Sequence, residues 1–227
     1  RGTEPNMKDG ESRGDDEIAV FRVLDDGLRQ LPAATTPLQS EQLTDLVMLL
    51  HAWAERINLT AHRTPTRIAE RLVLDAAALG AAVPELRTAG TLVDLGSGAG
   101  FPGLPLAILH PHLEVRLIES RQKRHHFQRE VRRRLALSNV LPILGRSDRV
   151  EIFPSDLVVA QAMTQPEEAL RLMLPWTREG GLMILPASEG AEIPDWPDHD
   201  LPIEPREYRV PGSGIRRRLW LVRRPAE

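Results

Sequence analysis

The chain of 227 residues contains no cysteine and no long apolar run. Without cysteine it has no disulfide framework, no thiolate metal site and no cysteine nucleophile. None of its apolar runs approaches the roughly eighteen residues that a membrane-spanning helix needs, and the N-terminus lacks the basic-then-apolar order of a secretory signal. These absences lead us to expect a cytoplasmic protein that does not interact with a membrane.

Familiar catalytic patterns are missing as well. The sequence has no strong Ser/His/Asp pattern and no metal-ligand spacing, and the adjacent His125 and His126 would point to different faces of a helix. We therefore expect no metal, and the sequence identifies no residue as a catalytic acid or base.

A strong excess of one charge is also lacking, since the formal net charge is −3, but the basic residues are unevenly placed. The segment 121–134 carries seven Arg or Lys residues and two histidines against one acid, and the segment 215–225 carries five arginines. Both segments could bind the phosphates of a nucleic acid. The alternatives are a solvated helix face for the first segment and edge-strand arginines that prevent aggregation for the second.

The most informative segment that is present is TLVDLGSGAGFPG at 91–103, in which a short apolar run ends near Asp94 and four glycines follow within eight residues. A tight strand-to-helix turn that approaches a ligand needs positive φ angles and no Cβ atoms, and glycine meets both needs. The apolar residues 101–110 predict a helix whose free N–H groups would face that ligand. The alternative is an ordinary glycine-rich turn, but the position between a strand and a helix favours a nucleotide-type cofactor loop.

The identity of the cofactor depends on the residues around the glycines, because the glycines alone also fit the dinucleotide pattern G-x-G-x-x-G of a nicotinamide-dependent oxidoreductase. Pro102 interrupts the pair of residues that usually begins the helix, and Asp94 could hold an amino-acid ammonium group, which dinucleotides lack. S-adenosylmethionine has that group, and Glu119, at the end of the next predicted strand, could bind its ribose. The segment therefore favours S-adenosylmethionine.

Three parts follow one another along the chain: a polar, aperiodic tail at 1–16, a helical extension at 17–88 and a cofactor-binding domain at 89–227. Helical spacing of apolar residues within the extension predicts three helices, at 18–31, 40–58 and 65–80.

Strands and helices alternate in the cofactor-binding domain, and residues 204–223 predict a closing hairpin around a PGSG turn. The predicted strands lie near 115–119, 140–144, 157–160 and 182–187, and the predicted helices at 123–136 and 167–174. We expect an α/β fold with a Rossmann-like, doubly wound, mostly parallel seven-stranded sheet that ends in an antiparallel hairpin. That arrangement is typical of class I methyltransferases that use S-adenosylmethionine.

Four segments of the chain resemble one protein family. In order, they are WAERINLTAH, VDLGSGAGFPGLPLAI, LIESRQKRHHFQREVRRRLALSNV and GRSDR. Over about 43–185 the chain resembles the RsmG (GidB) methyltransferases, which methylate N7 of a guanine in bacterial 16S ribosomal RNA. The second and third segments are specific to this family.

The resemblance implies S-adenosylmethionine as the cofactor and small-subunit ribosomal RNA as the partner. Separately, we expect a monomer. The resemblance also implies that Gly96 and Phe101 line the cofactor pocket, that Glu119 lies near the ribose and that Ser147 and Asp148 flank the adenine. Phe101 could instead be a core aromatic, and Asp148 could be a helix N-cap. The full predicted cofactor set is Asp94, Gly96, Gly98, Gly100, Phe101, Glu119, Ser147, Asp148 and Gln161, and the predicted RNA-binding set is Arg71, Arg121, Lys123 and Arg124.

Departures from the family pattern fall on the side of the substrate. Leu72 stands where the family usually has histidine, Gln161 where it has arginine, and Pro186 where it has lysine. An arginine-to-glutamine change removes a fixed positive charge and a bidentate donor. The main alternative is therefore a module that binds S-adenosylmethionine or the ribosome with weak or no activity.

The expected reaction tolerates the absence of an acid or base residue. Guanine N7 already has a lone pair directed away from the ring, so it needs no deprotonation before attack. Transfer from a sulfonium is a one-step, in-line displacement, and holding the two reacting atoms close and collinear can supply most of the catalysis.

Overall fold

A sheet of seven strands organises the part of the chain that the computed structural model describes, residues 7–161, 164–196 and 201–226. Its spatial order is β3-β2-β1-β4-β5-β7-β6; the first five strands in sequence run parallel, and β7 runs antiparallel to β5 and β6. The predicted doubly wound sheet with a closing hairpin is therefore confirmed. The strands are β1 (Thr91–Leu95), β2 (Glu114–Glu119), β3 (Val140–Leu144), β4 (Ser155–Ala160), β5 (Thr177–Ser188), β6 (Ile203–Arg209) and β7 (Arg216–Arg223).

Helices cover both faces of this sheet, and none within the described residues is long and apolar enough to cross a lipid bilayer. A π-helical turn joins α3 to α4, and short 3₁₀ turns lie at Pro84–Arg87 and Leu174–Trp176. The helices are α1 (Met7–Leu28), α2 (Pro37–Ala54), α3 (Pro65–Ile68), α4 (Leu74–Ala82), α5 (Gly103–Leu109), α6 (Gln122–Arg134) and α7 (Pro166–Met173).

Alternation along the strands separates two apolar layers. In β1, Leu92 belongs to a cluster that contains residues of α1, α2, α4, α5 and α6, whereas Val93 belongs to a cluster that contains residues of α7 and three tryptophans. Successive side chains of a strand point to opposite faces of the sheet. A strand whose consecutive residues are apolar is therefore buried on both faces. The strand that precedes the glycine loop, β1, is therefore packed on both of its faces.

The boundaries of the N-terminal helices differ from those predicted. α1 begins at Met7, so residues 7–16 are helical and not part of an aperiodic tail, and residues 1–6 lie outside the described range. α2 begins at Pro37 and not at 40, because Thr36 and Gln39 form a reciprocal capping box. The third predicted helix contains the π-turn at Ala69–Val73, which an apolar periodicity of 3.6 does not reveal.

The helical extension and the sheet share one apolar core. Trp53 of α2 meets Phe127 of α6 edge to face, with ring centroids 5.5 Å apart. The Gln39 side chain donates hydrogen bonds to the carbonyls that end α5, and Gln42 donates to the Leu135 carbonyl after α6. The extension is therefore packed directly on the two helices that follow β1 and β2.

A buried polar contact joins the extension to the terminal hairpin. The Asp75 carboxylate on α4 accepts a hydrogen bond from the Tyr208 hydroxyl at 2.7 Å and pairs with the Arg217 guanidinium at 3.0 Å. Asp75 is 5% exposed and Tyr208 is 8% exposed. Burial and the neighbouring Asp75 charge raise the pKa of Tyr208 well above its usual range, so the phenol remains a donor. The two strands of the hairpin, β6 and β7, are thus held against α4, although they are far from it in the sequence.

Removing the Tyr208 hydroxyl tests the strength of this junction. We expect Tyr208→Phe to lower the free energy of unfolding by about 1–3 kcal/mol, because the buried Asp75 carboxylate loses one of its two donors while the ring still fills its place. Urea unfolding followed by circular dichroism measures the change. Equal unfolding free energies of the variant and the wild type would show that the hydrogen bond from Tyr208 contributes nothing to stability.

Candidate active site

The loop between β1 and α5 adopts the conformation that its glycines permit. Gly96, Gly98 and Gly100 have φ angles of 67°, 60° and 91°, in the left-handed region that other residues rarely adopt. The peptide N–H groups of Gly100 and Phe101 both donate to the Ser97 carbonyl, which closes the turn. The loop lies beside the switch point of the sheet, between β1 and β4, where doubly wound folds bind their ligands.

Asp94 anchors the far end of this loop. Its Oδ2 atom accepts a hydrogen bond from the Gly103 N–H at 2.9 Å. A Cβ atom at Gly103 would lie 2.4 Å from Leu117 and 2.9 Å from that same oxygen, so any other residue would force these side chains to shift.

The second oxygen of Asp94 is buried without a partner among the described residues. The pKa of this carboxyl is raised from 3.8 to about 7: burial is the main cause, the hydrogen bond from Gly103 opposes the rise, and the nearby Glu119 charge adds to it. A buried acceptor that lacks a donor indicates a place for a ligand donor.

Glu119 anchors the near end of the loop from the end of β2. Its Oε2 accepts from the Gly98 N–H at 2.9 Å, and its Oε1 accepts from the Arg121 N–H at 2.7 Å. The Arg124 guanidinium, from the first turn of α6, lies 3.8 Å from Oε2. Each carboxylate oxygen therefore keeps acceptor capacity beyond the one backbone hydrogen bond that orients it.

Gln128 is a site residue that the sequence interpretation missed. Its side chain is completely buried, and its amide donates to the Ser97 hydroxyl and to the Gly98 carbonyl, both at 2.8 Å. Gln128 thus holds the Gly98 carbonyl, while Glu119 holds the Gly98 N–H. The available signal was a polar residue on the inward face of a helix, between Phe127 and Val131.

A cavity of about 340 Å³ opens beside the loop and brings together three predicted cofactor residues, Gly96, Ser147 and Asp148. Ile118 and Ser120, on either side of Glu119, also line it. Asp148 does not cap a helix, because residues 147–150 form only a turn and a bend. It pairs with Arg146, whose hydrogen bond lowers the pKa of the Asp148 carboxyl.

Phe101 and Gln161 line a second and much smaller cavity together with Arg71, on the other side of the loop. Its volume is about 10 Å³, which is room for at most one water. Phe101 also contacts the apolar core. The structure therefore separates the predicted residues into one group at the larger cavity and one group near the extension.

The predicted RNA-binding residues lie in two places. Arg121 and Lys123 are exposed at the start of α6, Arg124 next to them contacts Glu119, and Arg71 lies on the π-turn beside the smaller cavity. Within the part of the chain that is described, no three His, Asp or Glu side chains form a group that could hold a metal ion.

The arginines of the hairpin are mostly engaged by the protein itself. Arg217, Arg218 and Arg223 pair with acidic side chains, and Arg224 donates to two backbone carbonyls. These pairings argue against the hairpin as a phosphate-binding surface.

Comparison with protein families gives one clear match. The family model GidB, described as rRNA small subunit methyltransferase G, matches residues 39–193. A protein named ribosomal RNA small subunit methyltransferase G from Chromohalobacter salexigens is 39% identical over 206 residues, which cover 88% of this chain and 96% of that protein. The protein of the same name from Stenotrophomonas maltophilia is 35% identical over 216 residues, which cover 91% of this chain and 96% of that protein.

Solved structures share the fold at low sequence identity. A mutant of MtNAS in complex with S-adenosylmethionine has a TM-score of 0.56 at 17% identity, and the match covers 83% of this chain and 72% of that one. A putative methyltransferase, yhhF from Escherichia coli, has a TM-score of 0.52 at 18% identity, covering 68% of this chain and 85% of that one.

Asp94→Asn tests the buried carboxyl. With its pKa raised to about 7, the Asp94 carboxyl contributes stability below about pH 4, and this contribution is lost as the pH rises through about 7. The variant keeps an acceptor for the Gly103 N–H but cannot ionise. From about pH 4 to about pH 8, we expect the unfolding free energy of the ligand-free variant to gain about 3 kcal/mol relative to wild type. Urea unfolding at both pH values measures this, and a pH-independent difference would contradict it.

Gln128→Met tests whether the amide holds the loop for its ligand. Methionine has a similar length and no amide, so we expect affinity for S-adenosylmethionine to fall roughly tenfold, the effect of about one or two lost hydrogen bonds. Isothermal titration calorimetry measures the affinity. The matched control is Gln122→Met, which changes an exposed glutamine of the same helix. Wild-type affinity in Gln128→Met would exclude this role.

Proposed function

The chain belongs to the GidB family of rRNA small subunit methyltransferases G, and we propose that it transfers a methyl group from S-adenosylmethionine to N7 of a guanine in 16S ribosomal RNA. The observation that carries the proposal is the glycine loop held between two buried carboxylates, one of which has an oxygen with no donor among the residues that the structure describes. Family membership also disfavours the nicotinamide-dependent alternative.

The residues present fit this cofactor. The free oxygen of Asp94 is an acceptor for the ammonium group, directly or through water, and an ammonium partner would favour the ionised carboxylate. Glu119, oriented by two backbone N–H groups, is placed to accept from ribose hydroxyls. Ser147 and Asp148 in the larger cavity would flank the adenine. Gly96 and Gly98 leave the loop backbone free of side chains where the cofactor approaches.

Positioning accounts for the chemistry. When bound, S-adenosylmethionine supplies an electrophilic methyl group on a sulfonium. Guanine N7 would bond to the methyl carbon through its own lone pair while the carbon–sulfur bond breaks and its electron pair stays on the sulfur of the departing S-adenosylhomocysteine. The protein would need to orient the base, and no side chain would have to remove a proton.

The acceptor base would enter on the side of Phe101, Gln161 and Arg71. Their cavity holds at most one water, so side chains there must move before a base can bind. Arg71 makes no ion pair within the described part of the chain and could contact a phosphate, as could Arg121, Lys123 and Arg124 at the start of α6. An enzyme with this substrate would work in the cytoplasm, and we expect it to be a monomer.

The second candidate is a cofactor-binding module with weak or no activity. It is favoured by one observation: Leu72 and Gln161, two of the three departures from the family pattern, line the same small cavity. The third, Pro186, lies in β5 opposite Leu219 of β7.

Methyl transfer can be tested directly. Small subunits from cells that lack this protein, and their naked RNA, are incubated with the enzyme and labelled S-adenosylmethionine, and N7-methylguanine is mapped. We expect one modified guanine. Cofactor binding without any N7 transfer would favour the second candidate.

Gly96→Val separates cofactor binding from folding in the same experiment. It should abolish binding and transfer by placing a branched side chain on the loop, whereas Gly212→Val, at a φ of 70° in the hairpin turn and with open space around it, should keep both. Binding by Gly96→Val would contradict the assigned role of the loop.

A further inference from the structure

Helix α6 presents two different faces. Phe127, Gln128 and Val131 are buried, and Gln128 reaches the cofactor loop. The opposite face exposes four basic side chains at spacings of three and four residues, which places them side by side along the helix. They are His126, Arg129, Arg132 and Arg133.

These four side chains line a concave surface of about 730 Å³ that continues over the turn at Ala136, Leu137 and Ser138. We call it the α6 outer surface. Glu130 is its one acidic lining residue, and this glutamate pairs with Arg133 and Arg134. Arg129 and Arg132 form no ion pair with any residue in the described ranges. The surface therefore keeps an uncompensated positive charge.

The two basic segments of the sequence thus behave differently. In the hairpin, four of the five arginines are engaged by carboxylates or carbonyls of the protein. On the α6 outer surface, the guanidinium groups of Arg129 and Arg132 donate to no other side chain or carbonyl among the described residues. A polyanion would therefore bind the helix in preference to the hairpin.

The region next to the α6 outer surface has the opposite charge. Beyond Arg134 and Leu135, a groove between α1 and α2 is lined by Asp16, Glu17, Asp45 and Glu55. Partial burial, together with the charges of Glu41 and Glu17, raises the pKa of Asp45, as expected for crowded acids. This groove would repel phosphates that ran past the end of α6.

A polyanion that avoids the acidic groove would run along α6 toward the first turn of the helix. Arg121, Lys123 and Arg124 lie there, next to the cofactor loop. At a rise of about 1.5 Å per residue, Arg129 and Arg132 lie roughly 7–12 Å along the axis from Arg124. That distance places them beside nucleotides other than the one that is modified.

We propose that the α6 outer surface is a docking surface for the phosphate backbone of the RNA substrate, separate from the contacts around the target base. The proposal rests on the proposed function for the identity of the RNA. The charge and position of the α6 outer surface give it a role in substrate affinity and in the direction of the bound strand. The target guanine binds at the cofactor loop and the small cavity.

The experiment compares the double variant Arg129→Gln/Arg132→Gln with the wild type. Small-subunit RNA binding is measured by fluorescence anisotropy at several salt concentrations, together with kcat, KM and cofactor affinity. We expect affinity for RNA to fall roughly tenfold, and the slope of log affinity against log salt to shrink by about 1.4–1.8, the value for two lost phosphate contacts. KM for RNA should rise, whereas kcat at saturating RNA and affinity for S-adenosylmethionine should stay the same.

Two further variants separate RNA docking from a structural role, because Arg132, in the last turn of α6, also stabilises the helix through its dipole. Arg129→Lys/Arg132→Lys keeps both charges and should restore the salt slope. The matched control Arg209→Gln/Arg216→Gln removes two exposed arginines that face each other across the hairpin, and it should bind RNA like the wild type.

Unchanged affinity and slope in the α6 double variant would overturn the proposal. So would an equal loss in the hairpin control, or a parallel loss of cofactor affinity. Because RNA binding is measured without methyl transfer, a wild-type protein that binds RNA through α6 but transfers nothing would refute the proposed function and leave this surface intact.

Discussion

Two buried carboxylates at adjacent strand ends hold the cofactor loop, and the geometry of the site depends on them. Asp94 fixes the Gly103 N–H at the start of α5, and Glu119 fixes the Gly98 N–H in the middle of the loop. Burial of the Asp94 carboxyl, with a smaller contribution from the nearby Glu119 charge, raises its pKa to about 7, so the ionised form of Asp94 is costly. A ligand that carries a positive charge relieves this cost, so the site is suited to a cationic cofactor.

Helix α6 connects this loop to the protein surface. Gln128 on its inner face holds the Gly98 carbonyl, and Arg124 contacts Glu119. The outer face of α6 carries Arg129 and Arg132, which form no ion pair in the part of the chain that is described. The extension supports the same helix through Trp53. On the other side of the loop, Asp75 joins the extension to the hairpin and borders the small cavity. The added helices and the hairpin thus shape the smaller cavity, where we propose that the target base enters, whereas the parallel strands shape the proposed cofactor side.

Sequence patterns predicted the fold and the glycine loop between β1 and α5 well because their causes are local. Alternating strands and helices, the positive-φ glycines and the acid at the end of β2 all depend on near neighbours in the chain. The start of α2 was misplaced because the capping box at Thr36 was not recognised. Gln128 was missed since a glutamine within a basic segment does not reveal that it is the buried residue.

The sequence by itself determined the succession of strands and helices with a closing hairpin, the loop at Gly96 to Gly103, and the presence of two arginine-rich segments. Only the tertiary structure decided which of those arginines remain available. The hairpin brings Arg217 to Asp75 and Arg223 to Glu85, partners more than a hundred residues away, whereas Arg129 and Arg132 face outward from α6. Charge composition is a property of the chain, but the neutralisation of a charge depends on distance, and distance is set by folding.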